Sequence, residues 1–263
     1  MADYTLALSE EERMRYRMMA TYAQTNEADL WASAGIVAGA SVADVGCGPG
    51  AMLTALAATV GVAGRVDGVD ADPGAVADAT VEVADHPHAR VAVGRAEATG
   101  LPEASYDVVV CRHVLAHNGQ QEQQIVNHLA SRTRPGGTVY LVDVVASMLA
   151  LEPPIASVEA LSERYIQLHA RRGNDLRTGM RLGNLLQAAG LAVEYFGSRS
   201  PVMLLPPGVR PPAWAARDQL LREGLATQRE LDEWAAVFAE LDQQTQRPWL
   251  FPATFVAIGR RAE

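Results

Sequence analysis

The 263 residues carry 22 basic and 31 acidic side chains, for a formal net charge of −9, and no lysine is among the basic ones. This balance speaks against a nucleic-acid substrate, because a phosphate backbone is held by a basic surface. Apolar residues make up 49% of the chain, ample for a core, yet no uncharged apolar run approaches the roughly 18 residues of a membrane span. The start, Met1-Ala-Asp-Tyr, lacks the basic-then-apolar pattern of a leader, so a cytoplasmic α/β protein is expected. Cys47 and Cys111 make neither a disulfide framework nor a metal set and read as small buried fillers. No metal site is expected, and the His86-x-His88 pair reads as a solvated loop.

Punctuation along the chain gives the elements. Residues 8–32 are polar and helix-prone, with Ser9 ahead of Glu10, Glu11 and Glu12 as a capped start. From about 34 to 147, strands and helices alternate, the pattern of a doubly wound, mostly parallel sheet. Glu152-Pro-Pro then breaks the chain before a helix near 157–171. Met180–Ala189 reads as a helix closed by Gly190, and Leu191–Phe196 as a strand. Residues 199–212 hold five prolines and read as a loop. Helices are expected near 213–225 and 228–243, and Phe251–Gly259 as the closing strand. The division this suggests is an N-terminal helical lid over 1–33 and an α/β domain over 34–263. Cap insertions fall at about 148–178 and 199–250.

The most informative stretch is Val42-Ala-Asp-Val-Gly-Cys-Gly-Pro-Gly50, an apolar strand entering a glycine turn. Gly46, Gly48 and Gly50 permit turn geometries closed to other residues and close approach to a ligand. The helix-forming run after Ala51 directs its unpaired N–H groups at whatever fills the turn. Together these make a nucleotide-type pocket at the carboxyl end of a parallel strand. Gly46-x-Gly48-x-x-Ala51 also satisfies the loose dinucleotide pattern, so an NAD(P)-dependent oxidoreductase is one reading. Asp44 opposes it: a helix N-terminus favours anions, whereas a carboxylate beside the turn suits a cationic ligand. Asp70 ends a second short strand 24 residues past Gly46 and can accept ribose hydroxyls in either case.

The pattern Val42-x-Asp44-x-Gly46-x-Gly48-x-Gly50 resembles the first motif of the class I SAM-dependent methyltransferases. Arg65–Asp70, Val91–Glu97, Tyr106–Val110 and Arg132-Thr-Arg-Pro-Gly-Gly…Asp143 resemble that family's later elements, in the same order. The resemblance implies a seven-stranded sheet with S-adenosylmethionine as cofactor. It sets Asp44, Gly46, Cys47, Gly48 and Gly50 at the cofactor, Asp70 on the ribose, and Ala71 against adenine. Arg95 stands where many relatives carry an acid that accepts from the adenine amino group, and arginine cannot accept. Either Glu97 takes over, or the Ala96 N–H makes the main contact while Arg95 stacks or points away. Tyr4-Thr-Leu-Ala with Ser9, Glu12 and Arg15 partly matches a segment that folds over the cofactor in some bacterial members. Ala7 and Met19 depart from that pattern. Arg15 and Arg112 are candidate partners of the methionine moiety, Arg112 mainly through its backbone.

Methyl transfer is an in-line displacement that asks a protein mainly to align the reactants and exclude water. A base is needed only where the acceptor must lose a proton. His113 and His117, four residues apart, are expected on one helical face after the fourth strand, with Asp143 beside them at the end of the fifth. His117 and Asp143 form a candidate base dyad, and His113 a second base or a cofactor contact. Trp214, Trp234, Trp249, Phe251, Met148 and Met203 are candidates to line an apolar acceptor pocket. The resemblance thus implies O- or N-methylation of a small organic acceptor, of the kind found in specialised metabolism, by a monomer or homodimer. The alternative keeps the SAM pocket without methyl transfer, as in an isomerase, cyclase or eliminase.

Overall fold

The computed structural model describes residues 10–263, apart from the side chains of residues 11 and 12. Helices α1 (Glu10–Asn26) and α2 (Ala28–Ala34) precede β1 (Ser41–Val45), which passes through the glycine turn into α3 (Ala51–Val60). The chain then alternates through β2 (Arg65–Asp70), α4 (Pro73–Glu82), β3 (Ala89–Val93), β4 (Tyr106–Arg112), α5 (Glu122–Arg132) and β5 (Thr133–Val144). After these come β6 (Ala150–Glu152), α6 (Ala156–Arg171), α7 (Leu182–Ala188), β7 (Ala192–Ser198) and β8 (Met203–Leu204). Helices α8 (Pro212–Ala215), α9 (Arg217–Arg222) and α10 (Gln228–Gln243) lead to β9 (Trp249–Phe251) and β10 (Thr254–Arg260).

The main sheet has seven strands in the order β3-β2-β1-β4-β5-β10-β7. All its pairings are parallel except those of β10, which runs antiparallel to both β5 and β7. This is the expected doubly wound, mostly parallel sheet. Strand order reverses between β1 and β4, so the crevice past their carboxyl ends is the place for a ligand. Alternation along the strands feeds two cores. Val108 and Val110 of β4 pack with Leu53 and Leu56 of α3 on one face; Val109 and Cys111 pack with Ile125 and Leu129 of α5 on the other. Both cysteines are buried thiols, as fillers should be.

A third core, with Leu161, Trp234 and Phe238, belongs to the segments added after β5. Helix α10 begins where its sequence signals a start, with Thr227 and Glu230 forming a reciprocal capping box.

Several expectations fail for local reasons. The stretch 8–32 is two helices, not one, because buried Glu27 interrupts it. The stretch near 213–225 breaks at Ala216 into α8 and α9. Loop 199–212 contributes β8 to a small antiparallel sheet, β6-β9-β8, that short apolar runs did not reveal. His88 is no solvated loop residue, since its ring bonds the Ala57 carbonyl at 2.9 Å. Tyr4 and Ser9, with the capped start they imply, lie outside the described residues. No helix among the described residues is long and apolar enough to cross a membrane.

Candidate functional site

The glycine turn is built as its sequence requires. Gly46, Gly48 and Gly50 have φ of +79°, +53° and +93°, in the left-handed region. The N–H groups of Gly46 and Cys47 bond the Val69 carbonyl at 2.7 and 3.2 Å, which ties the turn to the end of β2. A Cβ on Gly46 would lie 2.2 Å from Val114 Cγ2, and one on Gly50 2.8 Å from Ala79 Cα. The turn is thus pressed between its neighbours, and its open side faces a cavity.

Two acids meet there. Asp70 Oδ2 accepts from the Gly48 N–H and Oδ1 from the Asp72 N–H, each at 2.9 Å. Those bonds aim the carboxylate and leave each oxygen a second lone pair. Asp44 is fully buried and its Oδ2 has no hydrogen-bond partner among the described residues. Burial pushes its carboxyl up to about 7; Arg112 pulls it down and Asp70 adds to the rise. A buried carboxylate lacking a donor is a seat for a cation.

Arg112 does not offer its side chain to a ligand. Nη1 and Nη2 donate to the two Glu27 oxygens at 2.7 and 3.2 Å, and Tyr140 Oη donates to the same carboxylate at 2.7 Å. Burial pushes the Glu27 carboxyl up, but Arg112 and these hydrogen bonds outweigh it and hold it below the ordinary range. This cluster, invisible in the sequence, fastens the α1–α2 junction to the end of β4. Arg95 Nε is hydrogen-bonded to Glu97 while most of its side chain stays in water. The arginine therefore occupies the very acid that was to replace it. Ala71 and Ala96 line the same cavity, and so do Arg15 and Cys47.

His113 and His117 do not share a helical face. His113 sits in a left-handed conformation, φ +56°, with its N–H on the Val142 carbonyl. Only Leu115–His117 form a 3₁₀ turn. Asp143, fully buried, accepts from the Ala116 N–H through Oδ2 and from its neighbour Val144 through Oδ1, each at 2.9 Å. The hydrogen bonds of the described residues therefore join Asp143 to the turn that carries His117, not to the imidazole. Burial pushes Asp143 up to about 7, partly offset by backbone N–H groups. His117 is pushed down to about 4 by burial and then by Arg15, and His113 well below its usual value by burial with Arg112 and Arg15. Both rings are neutral at pH 7.

The cavity, about 1560 Å³, is walled by α1, the carboxyl ends of β1, β2 and β4, and the added segments. Of the six apolar residues expected to line it, only Met203 does. Trp234 is buried in the third core, Trp214 packs on Phe238, and Trp249 and Met148 are largely exposed. Leu149, Leu151, Val158, Tyr165, Leu205 and Leu250 supply the apolar wall instead. Side chains of these types at helix and strand spacing read equally well as core, so no sequence signal separated them.

Cofactor and site agree on physical grounds. The unpartnered Asp44 oxygen fits a cationic amine, Asp70 fits a ribose diol, and a glycine cradle that a Cβ would fill fits close backbone approach. None of these is the anion cradle a dinucleotide needs. The fold resembles that of solved SAM-dependent methyltransferases. Residues 42–137 match the family model described as a methyltransferase domain.

Among curated proteins, the chain is 38% identical over 161 residues to the ribosomal protein L11 methyltransferase of Methylococcus capsulatus, covering 61% of this chain and 48% of that one. The chain spans about half the length of the curated relatives it matches, or slightly less. Among solved structures it is similar to YcgJ from Bacillus subtilis, with a TM-score of 0.57 at 18% identity over 90% of this chain and 98% of that one. The phosphoethanolamine N-methyltransferase 2 of Haemonchus contortus, solved with S-adenosyl-L-methionine, gives 0.53 at 16% identity over 90% and 52%. The [4+2]-cyclase SpnF gives 0.53 at 16% over 89% and 80%. At these identities the structural likeness is one of fold.

Proposed function

We propose that this chain transfers a methyl group from S-adenosylmethionine to an oxygen or nitrogen of a small organic acceptor. The observation that carries the proposal is one cavity of about 1560 Å³ in which the glycine turn and Asp70 share walls with apolar residues of the added segments. Ligand pockets commonly run to about 300–1,000 Å³, so there is room for the cofactor and a second molecule beside it. A relative named for methylating ribosomal protein L11 makes a protein substrate the competing choice. A pocket walled by the chain's own apolar side chains suits a compact acceptor better than a folded protein's surface.

When bound, S-adenosylmethionine supplies an electrophilic methyl group on a positively charged sulfur. Asp44 would hold its cationic amine and Asp70 its ribose. Residues of α1 (Tyr16, Met19 and Tyr22) and of α6 and α10 (Tyr165 and Phe238) exclude water from the reacting centre. In this reading the described part of the N-terminal 1–33 segment, α1 and α2, acts as a lid and the insertions near 148–178 and 199–250 as the acceptor cap. His117 and His113 face the acceptor as neutral rings, and Asp143 sets the turn that presents His117.

The test is an acceptor screen with the purified protein, following S-adenosylhomocysteine release and product mass together. Release matched by a methylated small molecule supports the proposal. Conversion of a compound with S-adenosylmethionine left intact points instead to the isomerase, cyclase or eliminase reading.

A further inference from the structure

His169, in the last turn of α6, is fully buried. Its ring centroid lies 4.8 Å from that of His117 and 4.4 Å from that of Tyr165. A chain of hydrogen bonds fixes where its proton sits. Asn174 Oδ1 accepts from the Gly119 N–H at 3.0 Å, so Asn174 Nδ2 is the atom facing His169 Nδ1, at 3.1 Å. An amide nitrogen only donates, so Nδ1 is bare and the neutral ring carries its proton on Nε2. Burial, with His117 and Arg172 nearby, keeps the ring neutral by pushing its pKa down to about 3. Nε2 has no hydrogen-bond partner among the described residues. A buried donor left without an acceptor is unfavourable, and His117 is the imidazole beside it.

The two segments are packed without slack. A Cβ on Gly119 would fall 1.7 Å from the Gly173 carbonyl oxygen, so the cap corner 169–174 rests directly on the turn that follows His117.

We propose that His169 is a positioning residue: its Nε2–H, without a partner among the described residues, is taken up by the His117 ring when the cofactor is bound, so that His117 turns its own N–H toward the cavity and binds the acceptor as a hydrogen-bond donor rather than as a base. The inference rests on reading the cavity as the methyl-acceptor site. It narrows the substrate class. No proton passes to His117, so the acceptor arrives already nucleophilic, as an oxygen acidic enough to be anionic near neutral pH, which accepts from His117 with one lone pair and attacks with another. An ordinary alcohol is excluded, because it needs the base that this arrangement removes.

The experiment is ¹⁵N NMR of the histidine rings in the full chain bound to S-adenosylhomocysteine, without an acceptor. His117 is expected to be neutral, with one protonated nitrogen and one accepting nitrogen, in a single tautomer. Asn174→Asp is nearly isosteric and still accepts from Gly119, but it now also accepts from His169 Nδ1–H. The His169 proton moves to Nδ1, and the His117 tautomer is expected to invert with it. His169→Gln keeps an N–H near the Nε2 position and should preserve the wild-type His117 tautomer. His169→Phe should leave a tautomer mixture and lower kcat about tenfold or more, as loss of an orienting hydrogen bond does, with S-adenosylhomocysteine affinity unchanged.

The wild-type spectrum decides by itself if a variant fails to fold: a charged or tautomer-averaged His117 overturns the proposal. So does a His117 tautomer indifferent to Asn174→Asp, which would assign the His169 N–H to the face of Tyr165. Absence of methyl transfer with the tautomer pair intact would overturn the functional reading alone.

Discussion

Glu27 and Arg112 stand 85 positions apart in the chain and form a doubly hydrogen-bonded ion pair inside the protein. Glu27 lies where α1 gives way to α2, and Arg112 closes β4. The pair therefore locks the helices that wall one side of the cavity to the strand that ends beneath it. Arg112 also draws Asp44 toward its ionised form, so the same guanidinium serves both the fold and the charge state of the Asp44 carboxyl.

Glu27→Gln leaves a buried guanidinium without its counter-charge, and breaking such a pair costs about 3–5 kcal/mol. Denaturant unfolding should register that loss, together with weaker S-adenosylmethionine binding. Because the Glu27 carboxyl is held low, its stabilisation is complete above the ordinary carboxylate pKa. It is lost as pH falls through the lowered folded value. The variant should lack that acid-side decline.

Asp44 behaves in the opposite sense. Its folded pKa is raised to about 7, so ionising it destabilises the ligand-free fold as pH rises from the unfolded value toward neutrality. A bound cation restores the balance. Calorimetric titration should show S-adenosylmethionine binding tightening by up to about tenfold per pH unit below the Asp44 pKa and levelling above it. In Asp44→Asn this inflection should vanish and binding should be weak throughout.

The glycines of the turn should respond unequally. Gly50→Ala forces a Cβ to 2.8 Å from the Ala79 backbone at φ +93°, whereas Gly48→Ala meets the Tyr16 ring at an ordinary 3.7 Å. Backbone strain of about 1–3 kcal/mol applies to both, but only Gly50→Ala adds an overlap that no rotamer relieves. Thermal unfolding and S-adenosylmethionine affinity should both fall further for Gly50→Ala.

Asp143→Asn replaces one acceptor oxygen by an amide that faces a backbone N–H, at Ala116 or at Val144. Leaving a buried donor unmatched costs about 1–3 kcal/mol. The expected result is lower stability and lower kcat together, because the turn bearing His117 is loosened. His117→Ala should lower kcat as well, and by leaving the buried His169 N–H unmatched it should cost stability of the same order. A dyad in the ordinary sense would give both variants the same pH profile.

The legible part of this protein is its local part. The glycine turn, the acid ending β2 and the alternation of strands and helices are all set by neighbours in sequence, and the structure contains each of them. The seven-stranded, mostly parallel sheet followed from family resemblance and holds. What was not legible depends on distant partners. Nothing marks Glu27 as the mate of Arg112 or His169 as the neighbour of His117. Nor does anything assign Met203 to the cavity while Trp234 goes to the core. His113 and His117 misled through their spacing: four residues place two side chains on one face only if the backbone between them is helical, and φ at His113 is +56°.

Incubation of the purified protein with methyl-labelled S-adenosylmethionine, a panel of small apolar amines, phenols and carboxylic acids, and a ribosomal-protein fraction is the most direct test. Methyl transfer to a small acceptor places the label in a low-molecular-weight product, with one equivalent of S-adenosylhomocysteine released. Label in the protein fraction, or tight cofactor binding with no label transferred to any acceptor, would contradict it.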